Sequence, residues 1–185
     1  MSQARQRLTD DHVALDQLLG QVQTALHSGD VEAIHTRLDL FWAKLAVHIR
    51  VEHLQLFPLV MDRMSQTSEA RTFLPALNEA LSTIDDLRAD HDFFMTELAR
   101  AINILRAVSH KNEDQAIIDQ AINTVSGSLI EVEKRLVNHN QLEEEKVYAW
   151  TTTILNEQEQ TELANRISIE LTNRPQRFSL NEWTT

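Results

Sequence analysis

The sequence has no cysteine, and its 185 residues include only three glycines and three prolines. The lack of cysteine excludes a disulfide framework, a thiolate metal site and a cysteine nucleophile. The scarcity of glycine and proline argues against a β-rich protein with many tight turns, whereas residues that favour helices are plentiful. An all-α fold is therefore the first prediction.

Long apolar runs and clusters of basic residues are also lacking. The N-terminal residues have no apolar core of the kind found in signal peptides, and no apolar run approaches the length of a membrane span. The formal net charge of -11 would repel a phosphate backbone. These absences predict a soluble cytoplasmic protein with no nucleic-acid partner and no membrane partner.

Apolar residues recur at steps of three and four along four long segments, which is the spacing of one buried helix face. These segments predict four long helices, and a weaker amphipathic helix is predicted from about Asn156 to Leu171. Pro58 lies within the second long segment and predicts a kink or a local break near Ile49 to Pro58. The tail from Asn173 is expected to be irregular, and no linker indicates a second domain.

Four of the eight histidines lie on the buried faces of the long helices, one on each, and two glutamates share these faces. The six residues are His12, His48, Glu52, His91, His139 and Glu143. In the second and fourth helices a glutamate follows the histidine by four residues, which places both side chains on one face, one turn apart. A buried carboxylate without a partner costs at least several kcal/mol, so an ordinary core would not tolerate these groups unpaired.

Four neutral imidazoles and two carboxylates inside a bundle are typical ligands of first-row transition metals. Two ions fit this set better than one, because each would take two histidines while Glu52 and Glu143 bridge between them. Histidines with bridging carboxylates favour iron over calcium or magnesium, which prefer oxygen ligands. The predicted cofactor is a pair of iron ions, with zinc and manganese as open alternatives.

Four sequence elements, in their order and spacing, resemble the hemerythrin-like, or HHE cation-binding, family. They are Asp11-His12, His48-x-x-x-Glu52-His53-x-x-Leu56-Phe57-Pro58, Asp90-His91 and His139-x-x-x-Glu143-Glu144-x-x-Val147-Tyr148. The resemblance implies an up-down-up-down four-helix bundle over about 8–150, with a non-haem di-iron centre. A short C-terminal helix and tail over about 154–185 would complete a single domain over 1–185. Family roles include oxygen binding, oxygen or iron sensing, and repair of iron centres after nitrosative damage.

Two departures from the family pattern bear on function. Hemerythrins that carry oxygen have a fifth histidine and an aspartate in a longer His-x-x-x-x-Asp element, whereas both elements here are of the His-x-x-x-Glu type. His53 stands where many relatives have a second acid, and we expect it at the surface or beside the ligands. Phe57 and Tyr148 are expected at the edge of the site. These departures favour sensing or iron handling over reversible oxygen carriage.

The main functional hypothesis is a di-iron binding protein in which an open iron position takes a small ligand such as O2, NO or peroxide. One alternative is an interaction module with a purely structural metal, in which the C-terminal segment with Trp183 contacts a protein partner or a second copy. Another is a di-iron oxidase or peroxidase. The sequence does not decide between binding and catalysis, because an open iron position supports both.

Overall fold

The computed structural model describes residues 2–66, 74–109 and 114–184, and this part of the chain is helical and contains no strand. The all-α prediction is confirmed. In chain order the helices are α1 (Gln3–Ser28), α2 (Val31–Val51), α3 (Phe57–Gln66), α4 (Leu77–Ser109), α5 (Gln115–Leu142), α6 (Tyr148–Ile154), α7 (Glu157–Leu171) and α8 (Leu180–Thr184). Within the described ranges, no helix has the length and apolar character that a membrane crossing requires.

The first two long helices are delimited by local capping interactions. The Ser2 hydroxyl accepts a hydrogen bond from the backbone N–H of Arg5 and starts α1. Gly29 ends α1 in the left-handed conformation at φ 70°, which favours glycine. The Asp30 side chain then accepts from two backbone N–H groups in the first turn of α2. A connection this short keeps α1 and α2 side by side.

Two apolar clusters are separated along the bundle: the four long helices form the first, and α1 and α4 form the second together with α3, α6 and α7. Packing joins α1 to α2, α2 to α4, α4 to α5 and α1 to α5. The first cluster is built around residues such as Leu38, Phe41 and Leu98, and the second around residues such as Leu8 and Ile84. The middle of α1, the end of α2 and the middle of α4 pass between the two clusters, which leaves room there for a polar layer.

Two single-turn π-helices interrupt the long helices. The first π turn, Glu52–Leu56, joins α2 to α3, and the second π turn, Glu143–Val147, joins α5 to α6. In each, the backbone N–H five residues after the glutamate donates to the glutamate carbonyl, from Phe57 in the first and Tyr148 in the second. The first π turn interrupts the α-helix just before Pro58, within the range where a kink or a local break was predicted.

The C-terminal segment folds back onto the bundle. Asn156 and Glu159 form a reciprocal capping box at the start of α7, which is the weak helix predicted from the sequence. This helix packs against α1 and α2. The prediction of an irregular tail is partly wrong, because α8 forms near the C-terminus. Phe178 and Trp183 are buried against Ala43 and Val47 on the outer side of α2, and this apolar contact holds the tail in place.

Candidate metal centre

The six residues predicted as metal ligands come together in one buried layer between the two apolar clusters. Each is at most 3% exposed, and both carboxylates are fully buried. Each of the four long helices supplies one histidine, and each π turn supplies the glutamate at its first position. In chain order the residues are His12, His48, Glu52, His91, His139 and Glu143.

These residues form two overlapping groups of donors. The first donor group consists of His12, His48, Glu52 and Glu143. The second donor group consists of Glu52, His91, His139 and Glu143. In each group, one nitrogen or oxygen atom per residue lies within 4.8 Å of the others. The two groups share both carboxylates and differ only in their pair of histidines.

Within each group the two imidazoles direct their Nε2 atoms to the same point. The Nε2 atoms of His12 and His48 are 3.1 Å apart, and those of His91 and His139 are 2.9 Å apart. Two metal–nitrogen bonds of about 2.1 Å at a right angle place their nitrogens about 3 Å apart. The spacing of each pair therefore suits two ligands of one ion.

Glu143 presents one carboxylate oxygen to each donor group. Its Oε2 lies 3.3 Å from Nε2 of His12, and its Oε1 lies 3.1 Å from Nε2 of His139. Despite this short distance, the buried Oε1 has no hydrogen bond of acceptable geometry. The carboxylate thus spans the gap between the two histidine pairs.

Glu52 spans the same gap from the other side. Its Oε1 lies 3.5 Å from Nε2 of His48, and its Oε2 lies 3.3 Å from Nε2 of His91. The buried Oε2 likewise has no hydrogen-bond donor. An unneutralised carboxylate in an apolar interior is costly, and a cation beside it removes that cost. The residues present therefore fit metal ions bound on either side of the two carboxylates.

The outer ring nitrogens of the four histidines also have partners. Three Nδ1 atoms face carboxylates, in the pairs His12 with Glu144 at 2.8 Å, His48 with Asp11 at 2.8 Å, and His139 with Asp90 at 3.1 Å. The fourth, Nδ1 of His91, lies 2.9 Å from Nε2 of the half-buried His53. Such outer contacts fix the orientation of each ring and leave Nε2 free to bind a metal.

Comparison with known protein families agrees with this geometry. The model of the Hemerythrin HHE cation binding domain matches residues 3–151. The chain belongs to the hemerythrin HHE cation-binding family. The match covers the four long helices, both π turns and all six predicted ligands, whereas α7 and α8 lie beyond it. No curated protein and no solved structure matches the chain. Membership in the HHE family indicates a cation-binding site of the iron type, and the buried histidine–glutamate cluster fits it.

The surroundings of two of the histidines, His48 and His139, favour their protonated form when no cation is bound. Burial opposes a charge on His139, but Glu143 and Asp90 outweigh it and raise the pKa of His139 to about 9. Burial likewise opposes a charge on His48, yet Glu52 and Asp11 raise its pKa well above the usual value. A metal ion takes the place of these protons, because only the neutral imidazole binds it.

Tyr148 belongs to the HHE centre, although sequence reasoning placed it at the edge. It is fully buried, and its hydroxyl donates to Oε1 of Glu52 at 2.6 Å. The Tyr148 hydroxyl oxygen also lies 3.2 Å from Oε2 of Glu143 and 3.2 Å from Nε2 of His12. Burial and the two carboxylates raise the pKa of Tyr148 well above its usual value, so the phenol stays protonated.

The π turn explains why the role of Tyr148 was missed. In an α-helix, a residue five positions after Glu143 points about 140° away from it. In the second π turn, the bond from the backbone N–H of Tyr148 to the carbonyl of Glu143 widens the turn and returns Tyr148 to the same face. Phe57 follows Glu52 in the same way and stacks on His91, with the ring centroids 6.1 Å apart.

Proposed function

We propose that this protein holds a non-haem di-iron centre and uses it to bind or sense a small ligand such as O2, NO or peroxide, or to handle iron. The proposed ligands are His12, His48, Glu52, His91, His139 and Glu143. One observation carries the proposal: two matched pairs of imidazoles share two buried carboxylates, each of which offers one oxygen to either pair.

The choice of iron follows from the types of donor. Four imidazole nitrogens and two shared carboxylates would give each of two ions fewer protein ligands than an octahedral ion accepts, which would leave a position for a small ligand. Iron bound there supplies reversible redox chemistry and a site where a small ligand can coordinate. Family membership supports iron over zinc or manganese, which the donor set would also accept.

The protein's own residues prepare the layer for such a ligand. The Tyr148 hydroxyl holds Glu52 in place through its 2.6 Å hydrogen bond. Apolar rings line the second donor group, with Phe94 edge-on to His139 at 5.2 Å between centroids. The apolar clusters on both sides keep bulk water out of the layer. Only a small molecule can reach a position enclosed in this way.

Optical spectra of the protein as isolated, after reduction and after exposure to air test this proposal. A di-iron centre with an open position should show ligand-to-iron charge-transfer absorption when oxidised, lose it on reduction, and change again when NO is added. Spectra that do not respond to reduction, air or NO would indicate a purely structural metal and would contradict the proposal.

A di-iron oxidase or peroxidase is a second candidate, and Tyr148 is the observation that favours it. A buried phenol in contact with Glu52 places an oxidisable side chain inside the centre, beside a proposed ligand. Turnover of peroxide or ferrous iron beyond one equivalent per centre would distinguish catalysis from binding. The interaction-module alternative receives less support, since Phe178 and Trp183 are already buried against α2 of the same chain.

We also propose the up-down-up-down order of the long helices and a single domain. Gly29 and Asp30 alone join α1 to α2, yet His12 and His48 meet far from that turn, which supports an antiparallel pair. The packing of α7 on α1 supports one domain that includes the C-terminal segment. The cytoplasmic location, the small ligand and any homo-oligomer stay predictions.

A further inference from the structure

The two donor groups are matched in their donors, so any difference between them comes from their surroundings. Each has two imidazoles, and both use the same two carboxylates. A carboxylate that accepts a hydrogen bond from the outer nitrogen of a ligating histidine makes that imidazole a better donor and adds negative charge near the ion. The charges beside the outer ring nitrogens of the four histidines therefore decide which position binds its ion more tightly.

The first donor group is backed by carboxylates on both sides. Glu144 faces Nδ1 of His12 and Asp11 faces Nδ1 of His48, each at 2.8 Å. Neither carboxylate has an ion pair with a lysine or arginine among the described residues. Lys44 acts on Asp11 through space only, while its ammonium lies over the Trp183 ring, 5.7 Å from the centroid.

The second donor group has one compensated carboxylate and one neutral ring. Asp90 faces Nδ1 of His139 at 3.1 Å but is also bound to the guanidinium of Arg135. His53 faces Nδ1 of His91 at 2.9 Å. When Nε2 of His91 binds a metal, its Nδ1 carries the ring proton and donates a hydrogen bond to His53. Nε2 of His53 must then accept this hydrogen bond, so the His53 ring must be neutral.

We infer that the two metal positions are unequal, and that the position in the first donor group binds its ion more tightly, is filled first and is emptied last. The inference rests on the proposed two-metal centre. The inference is carried by two contrasting surroundings. Asp11 and Glu144, neither of them ion-paired with a lysine or arginine among the described residues, contact the outer nitrogens of one histidine pair. His53 and the arginine-paired Asp90 contact those of the other. His53 is thus a positioning residue that sets the weaker site.

Titration of the metal-free protein with Co²⁺ tests the order of filling, because visible absorption reports each ion as it binds. The wild-type protein should take up two equivalents in two separate steps. His139→Ala removes a histidine of the second donor group and should keep the tighter step. His12→Ala removes a histidine of the first donor group and should lose it. Thermal unfolding of each metal-free variant verifies that the bundle still forms.

Substitutions of the residues that contact the outer ring nitrogens then test why the two affinities differ. Partners of metal-bound histidines typically change metal affinity 10- to 100-fold. His53→Glu should therefore tighten the second step at least tenfold, whereas the neutral acceptor in His53→Gln should leave it unchanged. Asp11→Asn should weaken the first step by a similar factor and leave the second where it was.

The outcomes separate this inference from the proposed function. Two equivalents bound with one affinity, a tighter step that survives His12→Ala, or equal effects of His53→Glu and His53→Gln would overturn the inequality while leaving a two-metal centre in place. Uptake of fewer than two equivalents by the wild-type protein would overturn both the inference and the two-metal centre on which it rests.

Discussion

Glu52 and Glu143 are the residues on which the proposed centre depends most directly. Both are fully buried, and each has one oxygen without a hydrogen-bond donor. The histidines lower the pKa of Glu52 well below its usual value against the opposing effect of burial. The pKa of Glu143 is lowered as well, although burial and Glu52 oppose this. Both carboxylates are therefore ionised at neutral pH and ready to bind cations.

Glu52→Gln and Glu143→Gln should each lose metal and thermal stability together. A ligand at about 100 times its Kd stabilises the native state by about 2.7 kcal/mol. For a chain of this size that corresponds to a fall in Tm of about 5–10 °C. Metal analysis and calorimetry of the purified variants measure both effects. Metal content equal to that of the wild type in both variants would show that these carboxylates are not ligands.

Tyr148→Phe should keep both ions but weaken the fold. The substitution removes the hydroxyl that donates to Glu52, and a buried acceptor left without its partner costs about 1–3 kcal/mol. Thr151→Val is the matched control, because it removes another buried hydroxyl in α6, one that bonds only the backbone of Tyr148. Only Tyr148→Phe should also change the visible spectrum of the iron-loaded protein. Identical spectra for the two variants would place the phenol outside the centre.

Protonation of His139 should make the stability of the metal-free protein depend on pH. Its pKa is raised from 6.5 to about 9, so the stabilisation is fully present below pH 6.5 and is lost as the pH rises through 9. Denaturant unfolding should show the free energy of unfolding falling by up to about 3 kcal/mol across that window. His139→Gln should reduce the slope and leave the part contributed by His48, whose pKa is also raised. Rising stability of the metal-free wild type from pH 6.5 to 9 would contradict the assignment.

At the residue scale the sequence predicted the convergence of the six proposed ligands better than the residues that contact the outer ring nitrogens. Histidine and glutamate four positions apart share a helix face whatever lies nearby, so their convergence follows from α-helical periodicity. The partners of the outer nitrogens depend on how neighbouring helices are rotated. Asp11 and Asp90 precede a ligating histidine in sequence, yet each contacts a histidine of another helix, so no local rule identifies their role.

At the scale of elements, the π turns show the limit of periodicity. A single bond from residue i+5 to residue i has no reliable sequence signal, yet it rotates every later side chain relative to an α-helix. Tyr148 was therefore expected only at the edge of the site, whereas the π turn brings its hydroxyl to Glu52 and Glu143. The start of each π turn at a proposed ligand agrees with the frequent occurrence of such turns at functional sites.

The C-terminal segment should stabilise the helix that carries His48. Trp183 packs against Ala43 and Val47 of α2 and donates its indole N–H to the carbonyl of Leu171. Trp183→Ala should lower the free energy of unfolding by about 3 kcal/mol, the lower end for such truncations, because the contact lies at the surface of α2. Ile169→Ala is the control, since that side chain is 70% exposed.

Calorimetry of the two variants measures this difference, and light scattering shows whether the uncovered apolar face of α2 causes association. Equal stability of Trp183→Ala and Ile169→Ala would mean that the tail does not support the bundle.

At the scale of the whole molecule, the fold places a charged layer between two apolar clusters. The sequence predicted the all-α class and the long helices because their apolar faces are regular and glycine and proline are scarce. The sequence predicted α7 but not its packing against α1. An amphipathic pattern indicates that one face of a helix is buried, but it does not indicate which element covers that face. The bundle thus buries six polar groups that an apolar core tolerates only when their charges are balanced, by bound cations or by protons on the histidines.

Metal analysis of the protein expressed in iron-supplemented medium tests the central claim most directly. The two donor groups with shared carboxylates predict two iron ions per chain. The ratio of iron to protein, with zinc and manganese measured in the same sample, gives the answer without assumptions about the small ligand. A value near two would support the di-iron centre, and a value well below one iron per chain with no other metal present would contradict it.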